Sequence, residues 1–283
     1  MKTWFITGAN SGLAYPMIEI LLERGDRVAA TVRKPQSLDK LKKKYDSSLW
    51  QATLDLIDPH SIGQIVNRAL EDLGTIDILV NNAGYGLFGA VEEANDEQIE
   101  HLFQTNFFGS LRVARAFMPY FRSRGKGYIV QISSMVGHLS NPGQGLYSAS
   151  KWAVEGAFET LAKEAAPFNI KLTLVEPGGI RTGFFANNGV FGQELSIYDD
   201  QPARDFKRLY QKIRDEKDLN MIIGDPQKMA KAIIQCVDGG NAPLRLVLGS
   251  DSYEEIKAAL TLRLKELDTQ KGLAYSTDFK DIS

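Results

Sequence analysis

The stretch TGANSGLAYP, Thr7 to Pro16, constrains this chain more than any other. Gly8 and Gly12 follow the short apolar run Trp4-Phe5-Ile6, and PMIEILLERG then repeats apolar residues at helical spacing until Gly25 stops it. That order reads as strand, glycine turn and helix. Glycine enters backbone conformations that side chains forbid, and the N-terminus of a helix presents free N–H groups at the positive end of its dipole. Such a turn suits a pyrophosphate, with polar groups from Asn10 and Ser11 beside it and the N–H groups of Ser11, Gly12 and Leu13 facing it. A third glycine would serve close packing of helix on strand; Ala14 stands there and adds one methyl group. Pro16 falls in the first helical turn, where its missing N–H costs no intrahelical bond.

The same alternation continues along the chain. Arg27 to Val32, Leu49 to Asp55, Ile76 to Val80, Gly127 to Ile132, Lys171 to Val175 and Leu244 to Leu248 read as further strands. Helical patterns lie between them: SLDKLKKKY, a segment opened by the cap and first-turn pair Asp58-Pro59, a long stretch from about Asp96 to Arg122, and one from about Tyr147 to Pro167. Strands that alternate with helices imply βαβ units and right-handed crossovers. The expected fold is therefore α/β: one Rossmann-type, doubly wound parallel sheet of about seven strands with helices on both faces. We expect residues 1–283 to form a single domain. Between Gly178 and Gly224 no strand pattern is visible, yet aromatic residues recur, which points to a substrate lid over about 184–224 and not to a disordered linker. A polar helical tail occupies about 250–283.

Composition excludes several functions. A formal net charge of -2 provides no basic field for nucleic acid or an anionic membrane surface. The single cysteine, Cys236, rules out an internal disulfide, and His60, His101 and His138 are too scattered for a zinc motif, so no metal is expected. No apolar run approaches the ~18 residues of a membrane span, and no signal-peptide pattern opens the chain. A soluble, cytoplasmic protein is the expectation.

Two sites carry chemistry. At the end of the second strand, where an acid would grip the ribose hydroxyls of NAD, the chain reads Thr31-Val32-Arg33-Lys34. With no carboxylate and two cations present, NADP(H) is favoured. In LYSASKWAVEG, Tyr147 and Lys151 stand four residues apart and share a helix face. A nearby ammonium stabilises a phenolate and brings the phenol toward the range of general acid–base work on a carbonyl or alcohol.

Together with Asn81-Asn82-Ala83-Gly84, Asn106 in QTNFFG, Ser134 and EPGGIRT, these motifs resemble the short-chain dehydrogenase/reductase family, in particular its NADP-preferring carbonyl and hydroxysteroid reductase types. The resemblance runs in ordered motifs from Thr3 to about Thr182. It implies that Tyr147 is the general acid of reduction, that Ser134 holds the substrate oxygen, that Lys151 tunes Tyr147 and binds the nicotinamide ribose, and that Asn106 anchors a water for proton return. Asp55 and Leu56 would meet the adenine, Asn82, Ala83 and Gly84 would border the cofactor, and Pro177, Gly178, Ile180 and Thr182 would cover its nicotinamide side. Met135, His138, Phe184, Phe185, Phe191 and Tyr198 fall in segments that line the substrate side in this family and imply an apolar pocket for a bulky ketone or aldehyde. The expected activity is NADPH-dependent reduction of such a carbonyl to an alcohol. Two alternatives stay open: a non-catalytic NADP-binding regulator of the same fold, and an enzyme working mainly in the oxidative direction. Relatives often pair through helix bundles; the long polar tail favours a monomer or homodimer here.

Overall fold

Apolar strand runs, each ended by a polar or glycine corner, line up as one parallel sheet in a computed structural model that describes residues 1–184, 189–216, 219–240 and 243–279. Its strands are β1 (Thr3–Thr7), β2 (Arg27–Val32), β3 (Leu49–Thr53), β4 (Ile78–Asn81), β6 (Gly127–Ile132), β7 (Ile170–Pro177) and β9 (Arg245–Leu248), in the spatial order β3-β2-β1-β4-β6-β7-β9. The strand order reverses between β1 and β4, and that switch point opens a crevice outside the carboxyl ends of the strands.

Both faces of the sheet are covered, as near-continuous apolar strands require. Alternate residues Trp4, Ile6, Val28, Ala30 and Val130 pack under helices α1 (Ala14–Glu23), α2 (Asp39–Lys44) and α8 (Pro226–Asp238). The intervening Phe5, Ala29, Leu79 and Ile129 pack under α3 (Pro59–Leu73), α5 (Ser110–Arg124) and α6 (Gly145–Ala165). Asp58 caps α3 as expected, its carboxylate accepting from the N–H groups of His60 and Ser61, with Pro59 at the first helical position. Ala14 is fully buried in the first of these cores, at the packing position its place in the turn implies.

Three features depart from the sequence reading. The expected long helix from Asp96 is α4 (Asp96–Phe103), then a π-helical turn (Gln104–Gly109), then α5; the π turn holds Asn106. Strands β3 and β4 are offset by two residues at one end from their sequence-derived bounds, ending at Thr53 and starting at Ile78. The segment read as strandless contains β8 (Gly189–Phe191), which pairs in parallel with β5 (Gly86–Phe88), and helix α7 (Asp205–Glu216). Three-residue strands are too short to show alternation, so neither could be seen before its partner. The C-terminal segment is α9 (Ser250–Thr269) followed by α10 (Lys271–Ser276).

A buried ion pair ties the segment that carries β8 and α7 to the body. Glu93 and Arg204 are 4% and 5% exposed, and Arg204 Nη2 lies 2.7 Å from Glu93 Oε1. Glu93 also accepts from the N–H groups of Ala90 at 2.8 Å and Leu195 at 2.9 Å, while Arg204 donates to the Leu195 carbonyl at 3.0 Å. Burial would raise the Glu93 carboxyl, but these N–H donors and the guanidinium more than offset it and hold it below the ordinary carboxylate range. The pair's contribution is therefore present above the unfolded pKa and is lost as pH falls through the lowered folded value. Removing one partner of a buried pair costs about 3–5 kcal/mol; Glu93→Ala should lose that much in urea titration, and Glu93→Met with Arg204→Met should lose less than either single change.

Candidate active site

The crevice at the switch point has two adjoining lobes, of about 950 and 1590 Å³, that share Ser11 and Gly84 in their walls. The larger lobe lies over the first strands. Gly8, Asn10, Arg33, Asp55, Leu56 and Ala83 line it, as expected. Gly8 has φ +62°, and a Cβ there would stand 2.8 Å from Ala83 Cα, so only glycine lets the turn approach the end of β4. Gly12 likewise has φ +63°. Asn82 fastens the turn: its Nδ2 donates to the carbonyls of Thr7 at 3.1 Å and Gly8 at 3.0 Å, and Thr7 Oγ1 accepts from the N–H of Asn82 at 3.0 Å. Helix α1 has no side-chain cap and no acid in its first turn, which leaves its N-terminal N–H groups to an anion. These residues fit the diphosphate and ribose of a dinucleotide. Lys34 is exposed and does not line the lobe; it opens the short turn Pro35–Leu38, where its carbonyl accepts from Ser37. Tyr85 and His101 form the opposite wall, the phenol and ring Nδ1 2.8 Å apart, and no sequence motif marks them.

The smaller lobe holds the reactive groups. Ser134, Tyr147 and Lys151 line it together with Ser11, Gly12, Leu13, Asn82, Gly84, Pro177, Gly178, Ile180 and Thr182. Each of the three reactive residues owes its place to the end of β6 and the face of α6. Ser134 leaves the strand in extended conformation and caps the short turn Met135–Gly137. One helical turn separates Tyr147 from Lys151, whose Nζ donates to the Ile132 carbonyl at 3.1 Å and lies 5.8 Å from the centre of the Tyr147 ring. Asn106 is buried behind Gly84. Its Nδ2 donates to the Tyr85 carbonyl at 2.9 Å and to Ser150 Oγ at 3.1 Å, and its Oδ1 accepts from the Tyr85 N–H at 3.0 Å.

Electrostatics differ from expectation at one point. Lys151 should bring the Tyr147 phenol down; instead burial pushes it up to about 12, against the lowering effect of a hydrogen bond from Ser134. Burial also lowers the Lys151 ammonium to about 8, and the charge of Glu155 works in the opposite direction. Desolvation disfavours the charged form of each group and is the largest influence on both. A phenol in this state keeps its proton at neutral pH and can give it away.

The predicted substrate residues separate. Met135 and Phe184 line the lobe beside Tyr147. Phe88, Gln144 and Phe206 join them without any sequence signal, Phe88 placing its ring centre 5.7 Å from that of Tyr147. Phe191 stacks behind, 5.8 Å from Phe88, and the Tyr198 hydroxyl donates to Glu92. Phe185 lies outside the described residues. His138 turns away: its Nε2 is 2.9 Å from Glu176 Oε1, because a buried carboxylate offers a partner that an apolar pocket does not. Ligand atoms of His138, Glu155 and Glu176 come within 4.8 Å of one another, but Arg245 Nε stands 3.2 Å from both carboxylates and fills the place of a cation. On the far side of the lobe, Asp251 at the start of α9 accepts from the Gly179 N–H at 2.7 Å and holds the Pro177–Thr182 turn. Its partner lies 72 residues away, beyond any local pattern.

Comparison with known proteins is consistent with this geometry. The profile of the short chain dehydrogenase family matches residues 2–190. A 3-ketodihydrosphingosine reductase of Bacteroides thetaiotaomicron is 38% identical over 245 residues, which cover 86% of this chain and 86% of the relative. Among solved structures, a short-chain dehydrogenase from Streptomyces avermitilis superposes with a TM-score of 0.90 at 36% identity, covering 98% of this chain and all (100%) of that one. The closed form of a serine dehydrogenase complexed with NADP+ superposes with a TM-score of 0.73 at 25% identity, over 87% of this chain and 94% of the other.

Two substitutions test the turn. Gly8→Ala should weaken binding of a reduced nicotinamide dinucleotide by about tenfold or more, read from the nucleotide's fluorescence, because the turn or Ala83 must then move. Ala14→Gly should leave that affinity nearly unchanged and lower stability by about 0.5–1 kcal/mol, the cost of glycine in a helix.

Proposed function

The chain belongs to the short-chain dehydrogenase family, and from that premise we propose that it is an NADPH-dependent reductase of bulky, uncharged ketones or aldehydes. The observation that carries this reading is the convergence of Ser134, Tyr147 and Lys151 in one lobe beside a glycine turn and an uncapped helix N-terminus.

Arg33 lines the adenine-side lobe, and Thr31-Val32-Arg33-Lys34 at the end of β2 carries no carboxylate, which supports a guanidinium that takes a 2′-phosphate. Gly8, Gly12, Asn82 and the N-terminus of α1 would hold the diphosphate, and the Pro177–Thr182 turn would lie on the nicotinamide side. The bound cofactor supplies the hydride. Ser134 donates a hydrogen bond to the substrate oxygen, where negative charge develops. Tyr147 then delivers its proton to that oxygen, and Lys151, one turn on, stabilises the phenolate that is left. With its phenol protonated at neutral pH, Tyr147 is in the state that a general acid of reduction requires.

Selectivity follows from the walls. Phe88, Met135, Val136, Phe184 and Phe206 surround the Tyr147 side, and Lys151 is the only charged side chain among the described residues that line the lobe. An acidic or phosphorylated substrate would lose its hydration there without a dedicated partner.

A panel of aromatic, aliphatic and steroidal carbonyls followed at 340 nm with NADPH and NADH tests the proposal. We expect turnover of apolar ketones or aldehydes with NADPH; silence across the panel would sink the reading. Tyr147→Phe should lower kcat by about 10²–10⁴-fold with NADPH affinity retained. Arg33→Ala should reduce the preference for NADPH over NADH by about tenfold or more.

A further inference from the structure

Helix α6 carries a third ionisable residue in register with the two already described. Tyr147, Lys151 and Glu155 follow at intervals of one turn, and each meets the end of β6: Tyr147 at Ser134, Lys151 at the Ile132 carbonyl, Glu155 beside Ser133. A Cβ on Gly137 would stand 3.1 Å from Ser133 Oγ and 3.3 Å from Glu155 Oε1, which shows how closely that corner is packed. Glu155 is 5% exposed, and its carboxylate is buried beside the Ser133 hydroxyl. Oε2 lies 3.2 Å from Arg245 Nε and 3.9 Å from His138 Nε2.

The charges around it nearly cancel, with one cation missing. Glu155 on α6 and Glu176 on β7 are two buried carboxylates, and Arg245 on β9 contacts both. Glu159, the other acid on Arg245, is partly solvated, and Arg263 of α9 donates to the His138 carbonyl oxygen and lies over the Trp152 ring. Two carboxylates, Glu155 and Glu176, share the one guanidinium of Arg245, with the His138 imidazole beside them. Lys151 is the next cation along the stripe, and its ammonium has a neutral carbonyl as hydrogen-bond acceptor. A buried ammonium of this kind needs a compensating charge to keep its proton.

We propose that Glu155 is a positioning residue of the reaction: its buried carboxylate holds the proton on Lys151, so that the ammonium is present when Tyr147 gives up its own. Burial, with the neighbouring Glu176 adding to it, leaves the Glu155 carboxyl above its ordinary range, against the lowering effect of the Ser133 hydroxyl, His138 and Arg245. The inference rests on the reductase reading for its kinetic consequence, but not for its direct test.

The direct test is the titration of Lys151 followed by its 13Cε resonance in lysine-labelled protein, assigned by loss of the signal in Lys151→Arg. In Glu155→Gln the midpoint should move to lower pH by about one unit or more, since a negative neighbour has been removed; Glu155→Asp should restore most of the shift. Glu155→Met, which keeps volume and leaves Arg245 paired with Glu159 and Glu176, serves if the Gln variant folds poorly. An unchanged midpoint in either neutral variant overturns the proposal. Kinetically, the alkaline limb of kcat for carbonyl reduction should move acidward by the same amount, giving about a tenfold loss on that limb, with kcat on the acid plateau and KM for NADPH unchanged. A uniform loss at all pH values would reveal a merely structural role and also overturn it. A shifted resonance in a protein that reduces no carbonyl would defeat the proposed function and leave this inference standing.

Discussion

The ammonium of Lys151, lodged against the carbonyl oxygen of Ile132, fixes how helix α6 sits on the end of strand β6. Everything at the reactive end depends on that contact. It sets the phase of the helix, so that Tyr147 one turn earlier meets Ser134. It also places a cation against a buried oxygen of the sheet. The sheet makes the contact firm: β6 is paired on both sides, with β4 and β7, and its alternate faces are filled by two separate cores. A strand held from four directions is a rigid base on which to set groups whose separations matter.

The lid is fastened by a different kind of force. Its short strand β8 lies beside β5, and the Glu93–Arg204 pair joins the two regions where solvent is excluded. Aromatic rings then fill the space between this tie and Tyr147, with Phe88 in contact range of Phe184, Phe191 and Phe206. Such a wall can accept many apolar shapes and resists charged ones, because ring faces offer contact area without strong hydrogen-bond acceptors. Glu93 and Arg204 are not among the residues lining the pocket, so this segment is held without placing their charge against a ligand.

How much of this was legible in the sequence depended on whether a signal is local. Strand, glycine turn and helix at Thr7–Glu23, the cap at Asp58, and the one-turn spacing of Tyr147 and Lys151 all lie within a few residues and obey periodic rules. The strand order and the depth of the cores follow from that alternation. Partners from distant segments left no trace: Asp251 against Gly179, Arg245 against Glu155, and the β5–β8 pair each depend on the finished fold. His138 shows the reason plainly. Its loop position placed it near the pocket in outline, and a buried carboxylate on β7 turned the ring the other way. The phenol of Tyr147 is similar, since spacing reveals the neighbouring cation but not the desolvation that raises the phenol.

The π-helical turn between α4 and α5 has a consequence for chain length. Its wider winding accommodates residues that an α-helix of the same rise would not, and so resets the rotational phase between the two helices. Upstream, Gln98 and His101 face the crevice; downstream, Val113, Phe117 and Phe121 face the sheet. Loss of one residue inside Gln104–Gly109 would turn one set relative to the other by about 100°, moving three core side chains toward water or two wall residues away from the crevice. Exchanges of residue type in this turn are therefore the milder change. What the segment has to preserve is its count.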